Sequence, residues 1–578
     1  MKRNDYCIFL GMFVICVVNM LFMHINVLQY SQVEEVLDGV SWIDNCCRIF
    51  IDLFVILLVA VILMQGRLKS SMALVFLISS MWSFSNVFYS RFFFHYITLS
   101  SIAEAGALSD PIVFKSMVKG FRFVDVYYVL SATIFILLYR ICPSHTLKPF
   151  KFVKRLVWVF ALIYVFNLSA HVIYCASHDD LRYFEYFRRR VARRVFGINH
   201  FPALPIYAHF HNGSVKSILV EAYMSAQGDI ELTEEQKIII RNTIDDSKAS
   251  LTGCARNDKV KNLIFILIES QMSFVIDKAI DGKEVTPFLN SLKADSSVYY
   301  NGNVHPNITL GESADGQFLY MTGILPLRSM ITVSKACKIS LPGLPRQLKK
   351  IGITHSRMIL PTSPSLWRQD EMCSRYGFEQ LYSSNDYPGS HLQTLTDKQI
   401  FELASQIDLR ESESPFFSII LTASMHQPYD KILDPSFEIK ATSINDELKC
   451  YYNACHYTDK TIANYIHSLK DNGLYDNSMI VIASDHHVHT TDFGGGIPKD
   501  IPFFIINCDI PDKMYKGPCN QVDLYTTLID LLNIPNAWPG LGYSLADNRY
   551  NSLELKERWD VSELIMFSDY FKYNDVFL

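Results

Sequence analysis

The chain has 578 residues and a formal net charge of −5, with 49% hydrophobic and 19% charged residues. Its length exceeds what one hydrophobic core organises, so at least two structural units are expected. The negative charge, without any zinc-finger or helix-turn-helix pattern, argues against a nucleic-acid partner. Because the apolar excess is concentrated in the first third, the sequence predicts a membrane part followed by a soluble part.

Five segments of the first third are apolar enough to cross a bilayer, which takes about 20 residues of helix. The first lacks a small-residue cleavage site and is followed by further apolar segments, so we predict that it is retained and not removed as a signal peptide. The second is short and carries Asp52. The predicted spans cover residues 7–28, 49–64, 72–94, 124–141 and 156–175.

Lysine and arginine are distributed unevenly around these spans, and short loops rich in them favour the cytoplasmic side. The first outer loop instead carries Glu34, Glu35 and Asp38. With five spans, everything after residue 175 is predicted to lie outside the cytoplasm. The basic residues before the first span, after the second and between the fourth and fifth are Lys2, Arg3, Arg67, Lys69, Lys148, Lys151, Lys154 and Arg155.

An arginine-rich segment at 184–196 would lie on the outer side in this topology. An amphipathic helix on anionic headgroups and a solvated helix face both fit its spacing. We place it in a helical linker or juxtamembrane region at 176–258, between a membrane domain at 1–175 and a soluble domain at 259–578. Within the linker, Thr233 and the acidic residues after it predict the start of a helix over 232–244.

The soluble domain carries three apolar runs at 262–269, 416–426 and 478–487, each ending in polar residues. Such runs are typical of buried parallel strands. Helical patterns at 397–406 and 451–471 separate them. The alternation predicts an α/β fold with a mostly parallel central sheet and a ligand site at the carboxyl ends of its strands. A disulfide between Cys508 and Cys519 is left open.

Carboxylates and imidazoles follow these strands, namely Glu269, His426, Asp485 and His486, and Ser313 lies in a turn-rich stretch before a helical pattern. This donor set suits one divalent ion: manganese, zinc or magnesium. A serine hydroxyl beside such an ion can attack phosphorus. Each residue alone has a structural explanation, as a helix cap, a hydrogen-bonded histidine or a turn residue. Their occurrence together and in this order favours a catalytic site.

Several segments resemble the sulfatase-like catalytic domain of lipoteichoic acid synthases and related phosphoglycerol transferases, in the alkaline phosphatase superfamily. A five-span anchor also fits that family, so the resemblance extends over nearly the whole chain. The segments are IESQMSF, GESADGQF, LTASMH, YYNACHYTDKTIANYI, LYDNSMIVIASDHH and QVDLYTTLIDLL.

The resemblance implies roles for individual residues. Glu269, Ser313, Asp485 and His486 would bind the metal, with Ser313 where the family usually has a threonine nucleophile. His426 would contact the substrate phosphate or the leaving group. The further residues assigned to substrate binding are Asp315, Trp367, Arg368, His487 and His489.

The chain also departs from the family pattern. The family's Trp-Asn-Arg-Asp segment near the glycerol pocket reads Trp367-Arg368-Gln369-Asp370, and a histidine upstream of that tryptophan is missing, its place falling near Leu360. His487 and His489 add imidazoles beside the metal pair. The sequence argues against a sulfatase, because Ser313 is followed by Ala-Asp-Gly-Gln and not by the x-P-x-R that formylglycine formation requires.

The sequence therefore predicts metal-dependent transfer of a phospholipid headgroup, phosphoglycerol first, to a surface or periplasmic glycan through a phosphoseryl intermediate. Its partners would be a phospholipid donor, a glycan acceptor and the lipid bilayer. The protein would be a multi-pass protein of the cell (inner) membrane with an extracytoplasmic catalytic domain. Alternatives are a phosphoethanolamine transferase, a phosphodiesterase or hydrolase of the same superfamily, or a non-catalytic membrane binding protein that retains the fold.

Overall fold

The structure is a computed structural model of the whole chain. It describes residues 3–30, 39–103, 120–146, 213–226, 228–253, 259–390, 394–410, 415–488, 497–509, 512–550 and 553–574, with isolated positions between them that include most of 158–170 and residues 209 and 493. The chain divides into two compact units, Met1–Ile102 with Met117–Gln227, and Ala103–Ser116 with Gly228–Leu578. The segment predicted as a linker, 176–258, is thus divided between the two units. The helix that begins after Thr233 belongs to the second unit.

The first unit, called the membrane unit below, is built from long apolar helices. Four of them are long and apolar enough to cross a membrane, over Asp5–Gln29, Asn45–Leu63, Leu68–Phe93 and Phe123–Ile141. Of the fifth predicted span, the structure describes a shorter apolar helix at Trp158–Asn167. The helices are α1 (Arg3–Tyr30), α2 (Gly39–Leu63), α3 (Leu68–Phe93), α4 (Leu99–Ala103), α5 (Val126–Ile141) and α6 (Ser214–Ala226). The arginine-rich segment 184–196 lies outside the described residues.

Two buried acidic groups of the membrane unit each have a partner. Asp125 accepts hydrogen bonds from both terminal nitrogens of Arg91 on α3, at 2.6 and 2.7 Å. Asp52 on α2 accepts a hydrogen bond from the backbone nitrogen of Ser214, the first residue of α6, at 2.6 Å. Because a carboxylate at a helix N-terminus is stabilised by the unpaired N–H groups there, this contact accounts for an acidic residue inside an apolar helix.

The second unit, called the catalytic unit below, is organised around an eight-stranded sheet. Its strand order is β10-β4-β9-β8-β1-β7-β5-β6, and a separate hairpin pairs β2 with β3. The strands are β1 (Asn262–Ile268), β2 (Ala279–Ile280), β3 (Lys283–Glu284), β4 (Tyr299–His305), β5 (His355–Ile359), β6 (Gln380–Tyr382), β7 (Phe416–Leu421), β8 (Ser478–Ser484), β9 (Ile501–Ile506) and β10 (Cys519–Asn520).

The predicted mostly parallel sheet is confirmed. β1 pairs in parallel with both β7 and β8, and every residue of β1 and β8 is buried. This burial on both faces explains why these strands are continuous apolar runs. The antiparallel exception is β9, which pairs with β8 and β4. Cys508 and Cys519 are free thiols, with the Cys508 sulfur 3.4 Å from that of Met514.

The helices of the catalytic unit include those that the sequence predicts. Thr233 caps α7 by accepting a hydrogen bond from the Gln236 nitrogen, and the predicted helices at 397–406 and 451–471 correspond to α13 and α14. The full set is α7 (Glu234–Ala249), α8 (Pro287–Ala294), α9 (Ser313–Thr322), α10 (Val333–Ala336), α11 (Leu344–Lys349), α12 (Gln369–Tyr376), α13 (Asp397–Arg410), α14 (Asp446–Asp471), α15 (Asp523–Leu531) and α16 (Lys556–Phe567).

Candidate active site

The site lies where β1 and β8 end side by side. Ile268 and Ser484 are register partners in this parallel pair, so the next residues, Glu269 and Asp485, leave the sheet at the same edge. The backbone nitrogen of Asp485 donates to the Ile268 carbonyl at 3.0 Å, which continues the ladder by one more bond. Parallel pairing thus brings together two carboxylates that are 216 positions apart in the sequence.

Glu269, Asp485 and His486 form a compact cluster of potential metal ligands. One ligand atom from each lies within 4.8 Å of the others, and all three residues are buried. The His486 Nε2 atom is 3.5 Å from a carboxylate oxygen of Glu269 and 3.5 Å from one of Asp485. The other ring nitrogen, Nδ1, lies 2.8 Å from the His487 carbonyl, which holds the ring with Nε2 toward the carboxylates.

Ser313 is the first residue of α9, and its hydroxyl reaches this cluster. The Oγ atom lies 3.1 Å from Glu269 Oε2 and 3.0 Å from His486 Nε2. A glycine one turn later permits the approach, because a Cβ atom on Gly316 would overlap the backbone carbonyl of Asp485. The helix can therefore lie against the end of β8 only with glycine at this position.

The turn before Ser313 has a strained backbone and is held by hydrogen bonds to a buried aspartate. Glu312 has φ 48° and ψ −122°, a conformation that favours glycine over other residues. The fully buried Asp315 accepts hydrogen bonds from the backbone nitrogens of Thr309 and Gly311, at 3.0 and 2.9 Å, and from the Thr309 hydroxyl. These contacts make Asp315 a positioning residue for the loop that presents Ser313.

The electrostatics of the cluster favour a cation. Burial and the Glu269 carboxylate raise the pKa of Asp485 to about 7. Burial lowers the pKa of His486, but Asp485 and Glu269 more than offset this effect and raise it to about 9. Burial also raises the pKa of Glu269, which the charges of His486 and His426 then hold below its usual value. Two carboxylates facing one imidazole thus leave negative charge that a proton or a metal ion can balance.

The donor set fits a divalent metal ion. Carboxylate oxygens, an imidazole nitrogen and a serine hydroxyl are hard to borderline ligands that suit zinc, manganese or magnesium. Within the described residues, these side chains form the one cluster of three or more histidine, cysteine or acidic groups with such spacing. Glu269, Asp485, His486 and the Ser313 hydroxyl are therefore the groups that would hold the ion.

Hydrogen bonds around the cluster come from residues that the sequence did not single out. Thr422, after β7, accepts from the Glu269 nitrogen at 3.0 Å, and the Ser270 hydroxyl donates to Glu269 Oε1 at 2.7 Å. Gln521 donates to the Asp485 carbonyl at 2.7 Å and accepts from the Asn307 nitrogen at 2.9 Å. Gln521 opens the segment QVDLYTTLIDLL, which already carried the family resemblance, so its position, though not its contact, was available from the sequence.

His426 lies in the loop after β7 and is half-buried. Its Nδ1 atom is 2.5 Å from the Gln427 carbonyl, so that Nδ1 donates and Nε2 lies on the opposite side of the ring. The loop is held by Asp397, whose carboxylate accepts from the backbone nitrogens of Ala423 and Ser424 at 2.9 and 2.8 Å. The charge of His426 acts on Glu269, which associates this histidine with the metal cluster.

The remaining predicted site residues have different surroundings. Trp367 and Arg368 both have φ of 53°, and Arg368 forms an ion pair with Glu371 at 3.1 Å. The next residue, Gln369, is buried and donates to Gln317 of α9 at 2.7 Å, which links this segment to the Ser313 helix. His487 is buried directly after His486. His489 lies outside the described residues.

Both parts of the chain are similar to known protein families. The model of the lipoteichoic acid synthase N-terminal domain matches residues 1–217, and that of the sulfatase family matches residues 261–534. Lipoteichoic acid synthase 2 of Bacillus subtilis (strain 168) is 25% identical over 502 residues, which cover 81% of this chain and 72% of that protein.

Two solved structures resemble part of the chain. The lipoteichoic acid synthase LtaP from Listeria monocytogenes has a TM-score of 0.47 and 20% identity, covering 58% of this chain and 98% of its own. The Streptococcus pyogenes phosphoglycerol transferase GacH, in complex with sn-glycerol-1-phosphate, has a TM-score of 0.39 and 16% identity, covering 61% of this chain and 98% of its own.

Proposed function

We propose that the chain, which is similar to lipoteichoic acid synthases over most of its length, transfers the phosphoglycerol headgroup of a membrane phospholipid to a surface or periplasmic glycan. Ser313 is the nucleophile and carries the headgroup as a phosphoseryl ester. The observation that carries this proposal is the contact of the Ser313 hydroxyl with both Glu269 and His486, at 3.1 and 3.0 Å. Those two side chains belong to the cluster that suits a divalent ion.

In the first step, the Ser313 oxygen forms a bond to phosphorus while the bond from phosphorus to the diacylglycerol oxygen breaks. The serine proton passes to Glu269, whose Oε2 atom lies 3.1 Å away, and from there to water. The departing oxygen takes a proton from Nε2 of His426. A divalent ion held by Glu269, Ser313, Asp485 and His486 would lower the pKa of the serine hydroxyl and offset negative charge on the phosphoryl oxygens.

In the second step, the hydroxyl of the glycan acceptor attacks the phosphoseryl group. His426 takes the proton of that hydroxyl and so regains the one it gave to the diacylglycerol oxygen. The bond between phosphorus and the Ser313 oxygen breaks, and the serine regains from water, through Glu269, the proton that it lost in the first step. The N-terminus of α9 favours the anionic phosphoryl group in both steps, because Ser313 is its first residue. The fixed turn at Glu312 and Asp315 holds the oxygen in one position and so limits the loss of entropy on attack.

The proposed location follows from the charge distribution and the apolar helices. The membrane unit is embedded in the cell (inner) membrane, and the catalytic unit lies on the extracytoplasmic side, where the donor lipid is in the same bilayer. Reporter fusions at residue 260 test this orientation. Alkaline phosphatase should be active there and a cytoplasm-dependent reporter inactive; the reverse pattern contradicts the orientation.

The reaction is tested by mass spectrometry of the purified full-length protein after incubation with manganese and phosphatidylglycerol. The expected result is a peptide containing Ser313 with the added mass of phosphoglycerol. Ser313→Ala should lose both the adduct and turnover, whereas Ser313→Thr should keep measurable activity because threonine offers an equivalent hydroxyl. Normal transfer by Ser313→Ala would show that another group attacks.

A different headgroup is the second candidate. In the segment that the resemblance associates with glycerol recognition, Arg368 is paired with Glu371 and Gln369 is buried. These side chains are thus engaged within the protein, which favours a headgroup other than glycerol. Parallel incubations with phosphatidylethanolamine test this alternative, since the mass added to Ser313 identifies the headgroup. Release of free headgroup to water without an acceptor would instead identify a phosphodiesterase.

A further inference from the structure

The membrane unit contains an apolar groove between α2 and the helix at Trp158–Asn167. Its volume is about 560 Å³, within the roughly 300–1,000 Å³ that is usual for small-molecule sites. No residue that lines it carries a charge. Trp42, Ile43, Cys46 and Phe50 contribute from α2, and Leu162 and Phe166 from the other helix.

The length of the groove distinguishes between two kinds of apolar occupant. Its lining on α2 runs from Trp42 to Phe50, a rise of about 12 Å at 1.5 Å per residue. A transmembrane helix of a partner protein would contact the spanning helices over most of the ~30 Å hydrocarbon thickness. A groove of less than half that length matches a single leaflet, and the apolar molecule confined to one leaflet is a lipid chain.

The position of the groove indicates which leaflet is involved. It lies along the first half of α2, while Arg67 and Lys69 follow the other end of that helix. Since short basic loops remain in the cytoplasm, the first half of α2 belongs to the extracytoplasmic half of the bilayer. A lipid bound there presents its headgroup on the side where the catalytic unit is proposed to act.

We propose that this groove binds one acyl chain of a glycerophospholipid of the extracytoplasmic leaflet. The assignment of the leaflet rests on the orientation in the proposed function, whereas binding of the chain rests on the shape and apolar lining of the groove. Bound in this way, a lipid is held by its tail next to the enzyme while its headgroup remains at the membrane surface.

Photo-crosslinking tests the proposal on the full-length protein in nanodiscs of phosphatidylglycerol that contain a diazirine on one acyl chain. Peptide mapping should find the lipid adducts concentrated in residues 42–50 and 158–167. Leu10 on α1 and Leu77 on α3 are 63% and 54% exposed and lie outside the groove, so they report contact with bulk lipid. Adducts spread evenly over all exposed apolar positions would overturn the proposal.

A variant whose side chain fills the groove provides a second measurement of lipid binding. Cys46→Trp places a large ring in the groove and should lower the adduct yield at 158–167 several-fold, while Leu77→Trp, a matched change on α3, should not. An unchanged yield in Cys46→Trp would contradict the site, and the wild-type map decides the question if that variant does not assemble. Ser313→Ala should retain all adducts, so failure of the transfer reaction and failure of lipid binding are read separately.

Discussion

Two clusters of buried acidic groups, one in each unit, are balanced differently. In the membrane unit, Asp125 faces the Arg91 guanidinium through two hydrogen bonds, and the pair is neutral. In the catalytic unit, Glu269 and Asp485 face the single imidazole of His486. A buried charge is costly unless it is paired, so the neutral pair is a structural solution, whereas two carboxylates with one imidazole form a site that is complete only with a cation.

Removal of a metal ligand should have the largest effect of the changes that test this difference. Glu269→Ala, Asp485→Ala and His486→Ala should each lower metal occupancy and decrease turnover by several orders of magnitude, because each removes a direct ligand. Elemental analysis and a headgroup-transfer assay measure the two quantities. Asp434→Asn is the control, since Asp434 is paired with Lys460 at 3.0 Å and is not part of the cluster. Full occupancy with normal turnover in all three variants would mean that the site is misassigned.

Breaking the neutral pair in the membrane unit should affect stability and not metal binding. Arg91→Met leaves Asp125 buried without its partner and should destabilise the unit by about 3–5 kcal/mol. The double variant Arg91→Met/Asp125→Leu should recover most of this loss, because no buried charge remains. Thermal unfolding in detergent measures both.

The exposed pair of Lys237 and Glu234 provides the contrast to Arg91 and Asp125. These side chains are 48% and 83% exposed, so Lys237→Met should change the free energy of unfolding by less than about 0.5 kcal/mol. If the double variant Arg91→Met/Asp125→Leu were as unstable as Arg91→Met alone, the membrane pair would contribute more than charge neutrality.

The approach of α9 to β8 can be tested without removing any ligand. In Gly316→Ala the new methyl group overlaps the Asp485 carbonyl, so the helix that carries Ser313 must move away. A displacement of this kind should lower kcat/KM by roughly 100-fold. Gly228→Ala is the control, because no atom lies within 4 Å of its added Cβ. Equal activity of both variants would show that α9 adapts without moving the serine.

A more modest effect is expected on the stability of the metal-free protein as a function of pH. The pKa of Asp485 is raised from 3.8 to about 7 and that of His486 from 6.5 to about 9, so the folded protein favours the protonated form of both. Stability should therefore fall as the pH rises from about 4 to 9. Asp485→Asn removes the carboxylate and should increase the free energy of unfolding at neutral pH by about 1–2 kcal/mol. The melting temperature should rise accordingly.

Melting temperatures at pH 6, 7, 8 and 9 after treatment with EDTA measure this dependence. In Asp485→Asn the curve should be flatter below pH 7 and also flatter above it, because Asp485 is one of the two carboxylates that raise the pKa of His486. Added manganese should stabilise the wild type more at higher pH, since the ion competes with protons for the same ligands. Stability of the metal-free wild type that increases with pH through this range would contradict the interpretation of the cluster as a site with excess negative charge.

Much of the architecture follows from local patterns. The buried strands β1, β7 and β8 are continuous apolar runs, the spans are long apolar segments, and Thr233 with Gln236 forms a capping box that starts α7. Each of these signals depends on residues within a few positions of one another, so the sequence contains the whole pattern. The second span is predicted to begin at residue 49, whereas the apolar window begins at Asn45 and the helix itself at Gly39, because polar residues such as Asn45 and Arg48 interrupt the apolar run.

The candidate site residues were also predicted from the sequence, but their arrangement was not. Asp315 matched a family position and was assigned to the substrate, whereas its carboxylate holds the loop of Thr309 and Gly311. The need for glycine at 316 is visible only against the Asp485 carbonyl, 169 positions later. Contacts of this kind depend on which strands become neighbours and in which register, and that is decided by the packing of the whole sheet. The sequence alone therefore determined which groups are available for chemistry, and the tertiary structure decided which of them meet. The pairing of β1 with β8 brings Glu269 beside Asp485, and the approach of α9 to the end of β8 brings Ser313 within hydrogen-bonding distance of Glu269.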